Sequence, residues 1–541
     1  MADMDTVLPA LAAVDADARP VVDTSPSNGL ISREPTVKRW GKTSTKSDPS
    51  AGAWGDIHYY NYADDVRAGP HACMHGTACD ALLPPLTGCL LLPHAQCEEP
   101  ANFPNARFVS EHGFQSFPSF RAYANVSLPE DWSRESTFSE FRMRHPDGNE
   151  QALAMMRRHF RVPPANTTPG GFGSAGWPQR RLFDAYLWLT RAPSPRVTKR
   201  NPECTHATTP YEGMPYMTPT ALAPRHVPLC SELQQARCYE TAFNKWRRDR
   251  SSPAGTMGIL YWQLNAIWQG PDWSTLEYTR ACMPACCTRS SARPTAYPTA
   301  PAPPPSNPFC CRYDGTPRLA HHAVARSFAP LMLSAVESDA DARRIYSQAG
   351  LHVHLTSDLA YRVSGTLRVE LHAWQAASAD PVDSRSVSVA IDPQSSAAVY
   401  SVPIDSLLPS GSSREDHFLR LSLWPAGLAS ASASVVASTE PLSVAYHWLA
   451  AFAQVELPRA QPHVVAIEQA APTRASVWIA SNQTAAFVSL ESSFVDGAFS
   501  DGAFTLLPGQ TVQLDFLAQQ PFELAELRRG LLVRSLSDTY A

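Results

Sequence analysis

ARFVSEHGFQSFPSF, residues 106–120, is the stretch whose reading decides the fold of the first part of this chain. Arg107 to Ser110 form a short apolar strand that delivers a carboxylate, Glu111, at its end. A glycine-containing, aromatic-rich turn follows at once. A carboxylate at the C-terminal lip of a barrel strand is where barrel enzymes place catalytic groups. The bland alternative is an acidic residue in a loop, and what tells against it is the company Glu111 keeps along the chain.

Working outward, strand-like and helix-like segments alternate up to about residue 330, as α/β architecture requires. Strands are expected at RPVVDTS (19–25), GDIHYY (55–60), ARFVSEHG (106–113) and GILYWQLN (258–265). Helices are expected at STFSEFRMRH, NEQALAMMRRHF, RLFDAYLWLT and ARCYETAFNKWRRDR. A further amphipathic helix is expected at the N terminus, on Val7, Leu8, Leu11 and Val14. From about residue 340 the texture changes to period-two runs such as GLHVHLTSD, GTLRVELHAWQ, ASVWIASNQ and TVQLDFLAQQ, broken by Gly, Ser, Pro and Asp. That is β-sandwich sequence, long enough for two domains. The helix-like AYHWLAAFAQ, residues 445–454, is expected to mark the passage between them.

Three segments fit neither texture: 66–96, 191–233 and 281–314. They are rich in Pro, Ala, Thr and Cys and lack periodicity, and unstructured loops of that length are uncommon in compact domains. The expectation is that they are translated introns or gene-model errors, which tryptic peptides mapping inside 66–96 would refute, with genuine lineage-specific surface loops as the alternative. Of the 12 cysteines, ten lie in these odd segments and only Cys97 and Cys238 in ordinary sequence. No zinc spacing is present, and neither a metal site nor a disulfide framework is expected. The 541 residues carry a net charge of −5 and 44% hydrophobic residues. Sizeable cores are therefore affordable, and no basic excess points to nucleic acid or to a membrane surface. The N terminus, MADMDTVLPALAAVDADARP, has no basic start and carries acids through its apolar part, so it does not read as a secretory signal.

With the three segments set aside, the chain resembles the β-mannosidases of glycoside hydrolase family 2. RPVVDTSPSNG resembles barrel strand 5 and its turn, and WGDIHYYNY the GD-x-H-x-Y strand 6. NFPNARFVSEHGFQSFPS resembles strand 7, and GTMGILYWQLNAIWQGPDWSTLEY resembles strand 8, the most distinctive block. FAPLML and FVDGAFSDGAF resemble the family's C-terminal domains. The resemblance implies an α/β plus all-β architecture: the C-terminal half of a TIM (β/α)8 barrel (1–332) followed by two immunoglobulin-like β-sandwiches (333–455 and 456–541). It implies retaining exo-hydrolysis of terminal β-D-mannose, with Glu111 as nucleophile and Tyr59 orienting it. Trp262 is implied as the floor of the sugar subsite, with His58 and Asn265 near substrate hydroxyls.

Several residues depart from the family pattern. Ala266 follows Asn265 where an Asp is usual, His112 stands where Tyr is common, and Phe117 where Trp is common. The larger departure is an absence. A retaining glycosidase needs a second carboxyl about 5–5.5 Å from the first as general acid/base. In this family it is the Glu of an Asn-Glu pair at the end of barrel strand 4, and the chain is expected to begin after that point. Asn149-Glu150 lies downstream of Glu111 in a helix-start context. The isolated chain is therefore expected to be inactive. A non-catalytic remnant serving as a binding module is the alternative of another class. A related β-galactosidase, β-glucuronidase or exo-glucosaminidase is the alternative substrate assignment. No cofactor is implied, and the implied partner is a β-mannoside oligosaccharide. Asn125-Val126-Ser127, Asn166-Thr167-Thr168 and Asn482-Gln483-Thr484 permit N-glycosylation, and the resemblance implies a lysosomal, vacuolar or secreted protein.

Overall fold

The structure, a computed structural model, describes residues 56–60, 97–161 except 134, 135 and 147, 231–278, 281–282, 311–312, 315–338, 350–426 and 440–539, with isolated positions 10, 13 and 14. The expected strand 19–25, helix 181–190, the helix pattern on Val7 to Leu11 and nearly all of the three odd segments lie outside the described residues.

Three strands form a parallel sheet in the order β1-β2-β3: β1 Asp56–Tyr60, β2 Phe108–Gly113 and β3 Gly258–Ile259. Around it run α1 Phe120–Ala124, α2 Thr137–Arg142, α3 Gly148–His159, α4 Ser231–Arg248 and α5 Leu319–Ser327. A two-stranded antiparallel ladder pairs β4 Ala281–Cys282 with β5 Cys311–Arg312. The short helices start on side-chain caps: the Ser119 hydroxyl accepts from the Ala122 amide at 3.3 Å and Ser136 from Ser139 at 3.1 Å, satisfying amides a helix start leaves unpaired.

Helix α4 organises the core behind the sheet. Leu233, Ala236, Tyr239, Ala242, Phe243 and Trp246 recur at spacings of three and four, so all fall on one face, and all are buried with Val109 of β2 and Phe103. Side chains of this size contribute about 1.5–3 kcal/mol each when fully buried. At its C-terminal end Arg247 donates to the Ser327 and Ala329 carbonyls at 2.6 and 2.7 Å and pairs with Asp358 at 2.7 Å. These contacts tie α4 to α5 and to the first sandwich.

That sandwich contains β6 Leu331–Ser338, β7 Gly350–Ser357, β8 Val363–Ala373, β9 Asp383–Ile391, β10 Ser396–Val402, β11 His417–Pro425 and β12 Ser443–Trp448. Its sheets run β10-β7-β6 and β12-β11-β8-β9 over a core of Leu351, Val353, Leu367, Leu371, Leu419 and Leu421. Gly350 is required where β7 begins, with φ +146° and a notional Cβ 2.5 Å from the Val402 carbonyl. The second contains β13 His463–Ala471, β14 Arg474–Ala480, β15 Ala485–Ser492, β16 Gly497–Phe499, β17 Phe504–Leu506, β18 Thr511–Ala518, the helix α6 Leu524–Gly530 and β19 Leu531–Arg534. Its sheets run β13-β14-β18-β16 and β17-β15-β19.

Four expectations need correction. The strand expected over 258–265 stops at Ile259, because the chain leaves the sheet and folds back on itself, the Gln263 amide donating to the Trp273 carbonyl at 3.2 Å. The helix-like 445–454 opens as β12, since Ala445, Tyr446, His447 and Trp448 pair with β11 in antiparallel register. The segment 191–233 ends inside α4, which begins at Ser231. Finally, Cys97 and Cys238 form a disulfide across 141 residues with Cα atoms 5.1 Å apart. Only the packing of α4 against the approach to β2 brings those thiols together.

Candidate active site

The pairing of β1 with β2 builds the site. Asp56 and Ile57 lie opposite Phe108 and Val109, but His58 lies opposite Glu111, so Ser110 is an extra residue at the shift. A bulge of this kind re-aims side chains near its end of a strand. Successive side chains of a strand point to opposite faces, so His58 and Tyr60 share one face of β1 and Tyr59 takes the other. Glu111 joins the first pair. Its Oε1 accepts a hydrogen bond from the Tyr60 hydroxyl, and its Oε2 lies 2.9 Å from His58 Nδ1. The carboxylate thus holds two donors from alternate positions of the neighbouring strand while remaining partly open to solvent.

Tyr60, not Tyr59, is therefore the phenol on Glu111. The Tyr59 hydroxyl donates to the Asn102 carbonyl, and its ring packs edge-on against Phe103 and Trp246 at 5.7 and 6.4 Å. Burial pushes the Tyr59 phenol up to about 12. Tyr60 is raised further, first by burial and then by the hydrogen bond to Glu111 and that carboxylate's charge. Its phenol keeps its proton and stays a donor at physiological pH. The GD-x-H-x-Y spacing already contained this result, since its Tyr falls on residue 60.

His112 shares the inner face with Tyr59. It is 1% exposed, its Nδ1 lies 2.7 Å from the Tyr59 carbonyl, and Trp246, Tyr239 and Phe103 surround its ring at 5.0, 5.6 and 5.7 Å. Burial lowers it to about 4 despite that hydrogen bond, so the ring is neutral. This departure from the family pattern therefore points away from Glu111 and into the core. Phe117 is likewise core, at 1% exposure.

Trp262 follows β3. Its amide donates to the His112 carbonyl at 2.8 Å, and its carbonyl lies 3.0 Å from the Tyr239 hydroxyl, which is also 2.8 Å from the Trp273 carbonyl. Its side chain is exposed, at 47%. Gly113, two residues beyond Glu111, allows this approach: a Cβ there would sit 2.5 Å from the Trp262 carbonyl, 2.7 Å from Trp273 and 2.9 Å from Tyr60. Trp273 meets the Tyr60 ring edge-on at 6.3 Å. Asn265 is exposed, with its amide nitrogen 3.2 Å from the Ala266 carbonyl, and Ala266 is buried. Trp268 is covered by the Arg142 guanidinium at 5.0 Å. Sequence reasoning missed Tyr60, Gly113, Tyr239 and Trp273. Only the motif spacing gave a signal, for Tyr60. Asn149 and Glu150 lie in the first turn of α3.

Comparison with known proteins bears on this geometry. Residues 349–452 match the family model described as a mannosidase Ig/CBM-like domain, and residues 459–539 the Ig-fold domain of mannosidases. The chain is 26% identical over 97% of its length to a β-mannosidase of Mus musculus and 27% identical over 96% to one of Capra hircus. It spans less than half of these relatives, 43% of each. Among solved structures it is similar to the β-D-mannosidase of Dictyoglomus thermophilum, with a TM-score of 0.53 at 15% identity, covering 81% of this chain and 38% of that one. With Ig-like mannosidase domains matched in its second half and this similarity along nearly all of its sequence, the chain is similar to β-mannosidases.

Proposed function

We propose that this chain carries the nucleophile side of a retaining exo-β-mannosidase site, in the C-terminal half of a TIM barrel followed by two immunoglobulin-like sandwiches (1–332, 333–455 and 456–541). The observation that carries the reading is Glu111 near the C-terminal end of a parallel strand, gripped by Tyr60 and His58 through separate oxygens. In this reading a Glu111 oxygen attacks the anomeric carbon as the glycosidic bond breaks. The departing oxygen takes a proton from an acid that this chain is not assigned. Water then releases mannose from the glycosyl ester. Tyr60 and His58 fix the carboxylate plane, and charge-assisted hydrogen bonds of this kind are about twice as strong as neutral ones. The exposed Trp262 ring offers an apolar platform for the sugar, with Asn265 beyond it. The substrate is a terminal β-mannoside, and a lysosomal, vacuolar or secreted location fits a chain with a disulfide, because such bonds persist in oxidising compartments. No helix among the described residues is long and apolar enough to cross a membrane.

Leaving-group chemistry supplies the test. A dinitrophenyl 2-deoxy-2-fluoro-β-mannoside expels a stable phenolate and needs no proton donor, so the first step depends on the nucleophile alone. Mass spectrometry of the treated chain is expected to find the fluoromannosyl group on Glu111, and none in Glu111→Gln. A simple alkyl β-mannoside is expected to remain uncleaved by the isolated chain. Labelling at another carboxylate would overturn the assignment of Glu111, and cleavage of the alkyl mannoside would place the proton donor within this chain as well.

A further inference from the structure

A cavity of about 70 Å³ lies where the unit bearing Glu111 meets the C-terminal sandwich, and it is rich in carboxyls. Glu232, in the first turn of α4, lines it at 3% exposure. Its Oε2 has only a long contact, 3.5 Å, with the Leu319 amide at the start of α5, and its Oε1 has no hydrogen-bond partner among the described residues. The neighbouring carboxyls are already committed. Glu277 accepts from the Ser119 amide and hydroxyl. Asp272 accepts from Arg318 Nη1 at 2.8 Å and from the Ser274 amide at 3.1 Å.

Charge counting decides the state of this joint. Arg318, itself buried, pairs with Asp272 and lies 3.6 Å from Glu277. From the sandwich, Glu491 of β15 faces the cavity but is paired with Arg534 at 2.9 Å. Asp501 pairs with Arg326, and Arg121 with Asp496 at 2.6 Å. His322 of α5 is held down at about 3 by burial, so it supplies no positive charge. Three buried carboxyls, Asp272, Glu277 and Glu232, thus face one buried guanidinium. An unpaired buried charge is strongly disfavoured, and a proton is the simplest remedy.

We propose that Glu232 holds a proton in acid and that this proton keeps the C-terminal sandwich docked, the joint loosening as Glu232 ionises toward neutral pH. The local electrostatics agree: burial, and next the charge of Glu277, raise the Glu232 carboxyl well above its ordinary value, with Arg318 opposing. A carboxyl raised in the folded state contributes stability in full below its unfolded value, about 4.3, and loses it as pH rises through the folded value. The device therefore strengthens in acid. It is independent of the role given to Glu111.

Amide hydrogen exchange, corrected for intrinsic rates, tests it on the full chain at about pH 5 and about pH 7.5. Protection of β15 and of the first turn of α5 is expected to fall about tenfold or more at the higher pH. In Glu232→Gln, which keeps the shape without the ionisation, that fall is expected to vanish. An equal fall in both proteins, or none in the wild type, would overturn the proposal. Should Glu232→Gln not fold, Glu277→Gln serves instead: removing the nearest like charge is expected to move the loss of protection to lower pH, and an unmoved transition counts equally against it.

Discussion

Tyr59 and Tyr60 are adjacent in sequence and opposite in environment, and a pair of single-atom deletions separates them. Tyr60→Phe removes a donor from an exposed-side carboxylate, and a hydrogen bond to a charged group is worth about 1.5–3 kcal/mol. Labelling of Glu111 is expected to slow by roughly 10- to 100-fold with little change in melting temperature. Tyr59→Phe removes the hydrogen bond to the Asn102 carbonyl, so the labelling rate should hold while stability drops by about 1 kcal/mol. Single-turnover labelling and thermal melts read the two effects separately. His112 makes the pH prediction at this scale. Its folded value of about 4 lies below the ordinary 6.5, so its stability is present in full above about 6.5 and lost as pH falls toward 4. A shift of that size corresponds to roughly 3 kcal/mol for a fully buried group. Urea titrations in that window are expected to show a smaller acid loss in His112→Leu than in the wild type, an effect opposite in sign to that of Glu232.

Helix α4 is the element on which the site leans. Its inner face packs on β2, its Tyr239 reaches the carbonyls of Trp262 and Trp273, and its Cys238 is bonded to Cys97 ahead of β2. The disulfide closes a loop of 141 residues, and disulfides typically stabilise by about 2–4 kcal/mol, mainly through the unfolded chain. Reductant, or Cys97→Ala with Cys238→Ala, is expected to lower the melting temperature and to weaken labelling of Glu111 as β2 loosens against α4. Equal melting curves with and without reductant would contradict it. No cysteine spacing in the sequence pointed to this pair, because the contact is made by a helix lying across a strand far away in the chain.

Across the whole molecule, one side of the parallel sheet is unusually apolar outside. Met257 and Ile267 are 71% and 78% exposed, and Leu260, Trp262 and Leu264 join them around β3, the last strand in the sheet order. Parallel strands are normally covered on both faces, and an apolar sheet edge invites pairing with another chain. The purified chain is expected to self-associate, and Leu260→Lys with Ile267→Lys to reduce that association, as read by light scattering against concentration. The β-sandwich regions and the carboxylate-bearing strand were legible in the sequence, because period-two alternation survives wherever one face of a sheet is buried and the other wet. The helical face of α4 was legible for the same local reason. What needed the tertiary structure was everything that depends on which elements meet: the bulge that sets Glu111 opposite His58, the choice of Tyr60 over Tyr59, the turn of His112 into the core, the Cys97–Cys238 bond and the crowded carboxyls around Glu232. Local sequence fixes a side chain's period along its own strand or helix. Its partner is fixed by register and packing between segments that the chain brings together only on folding.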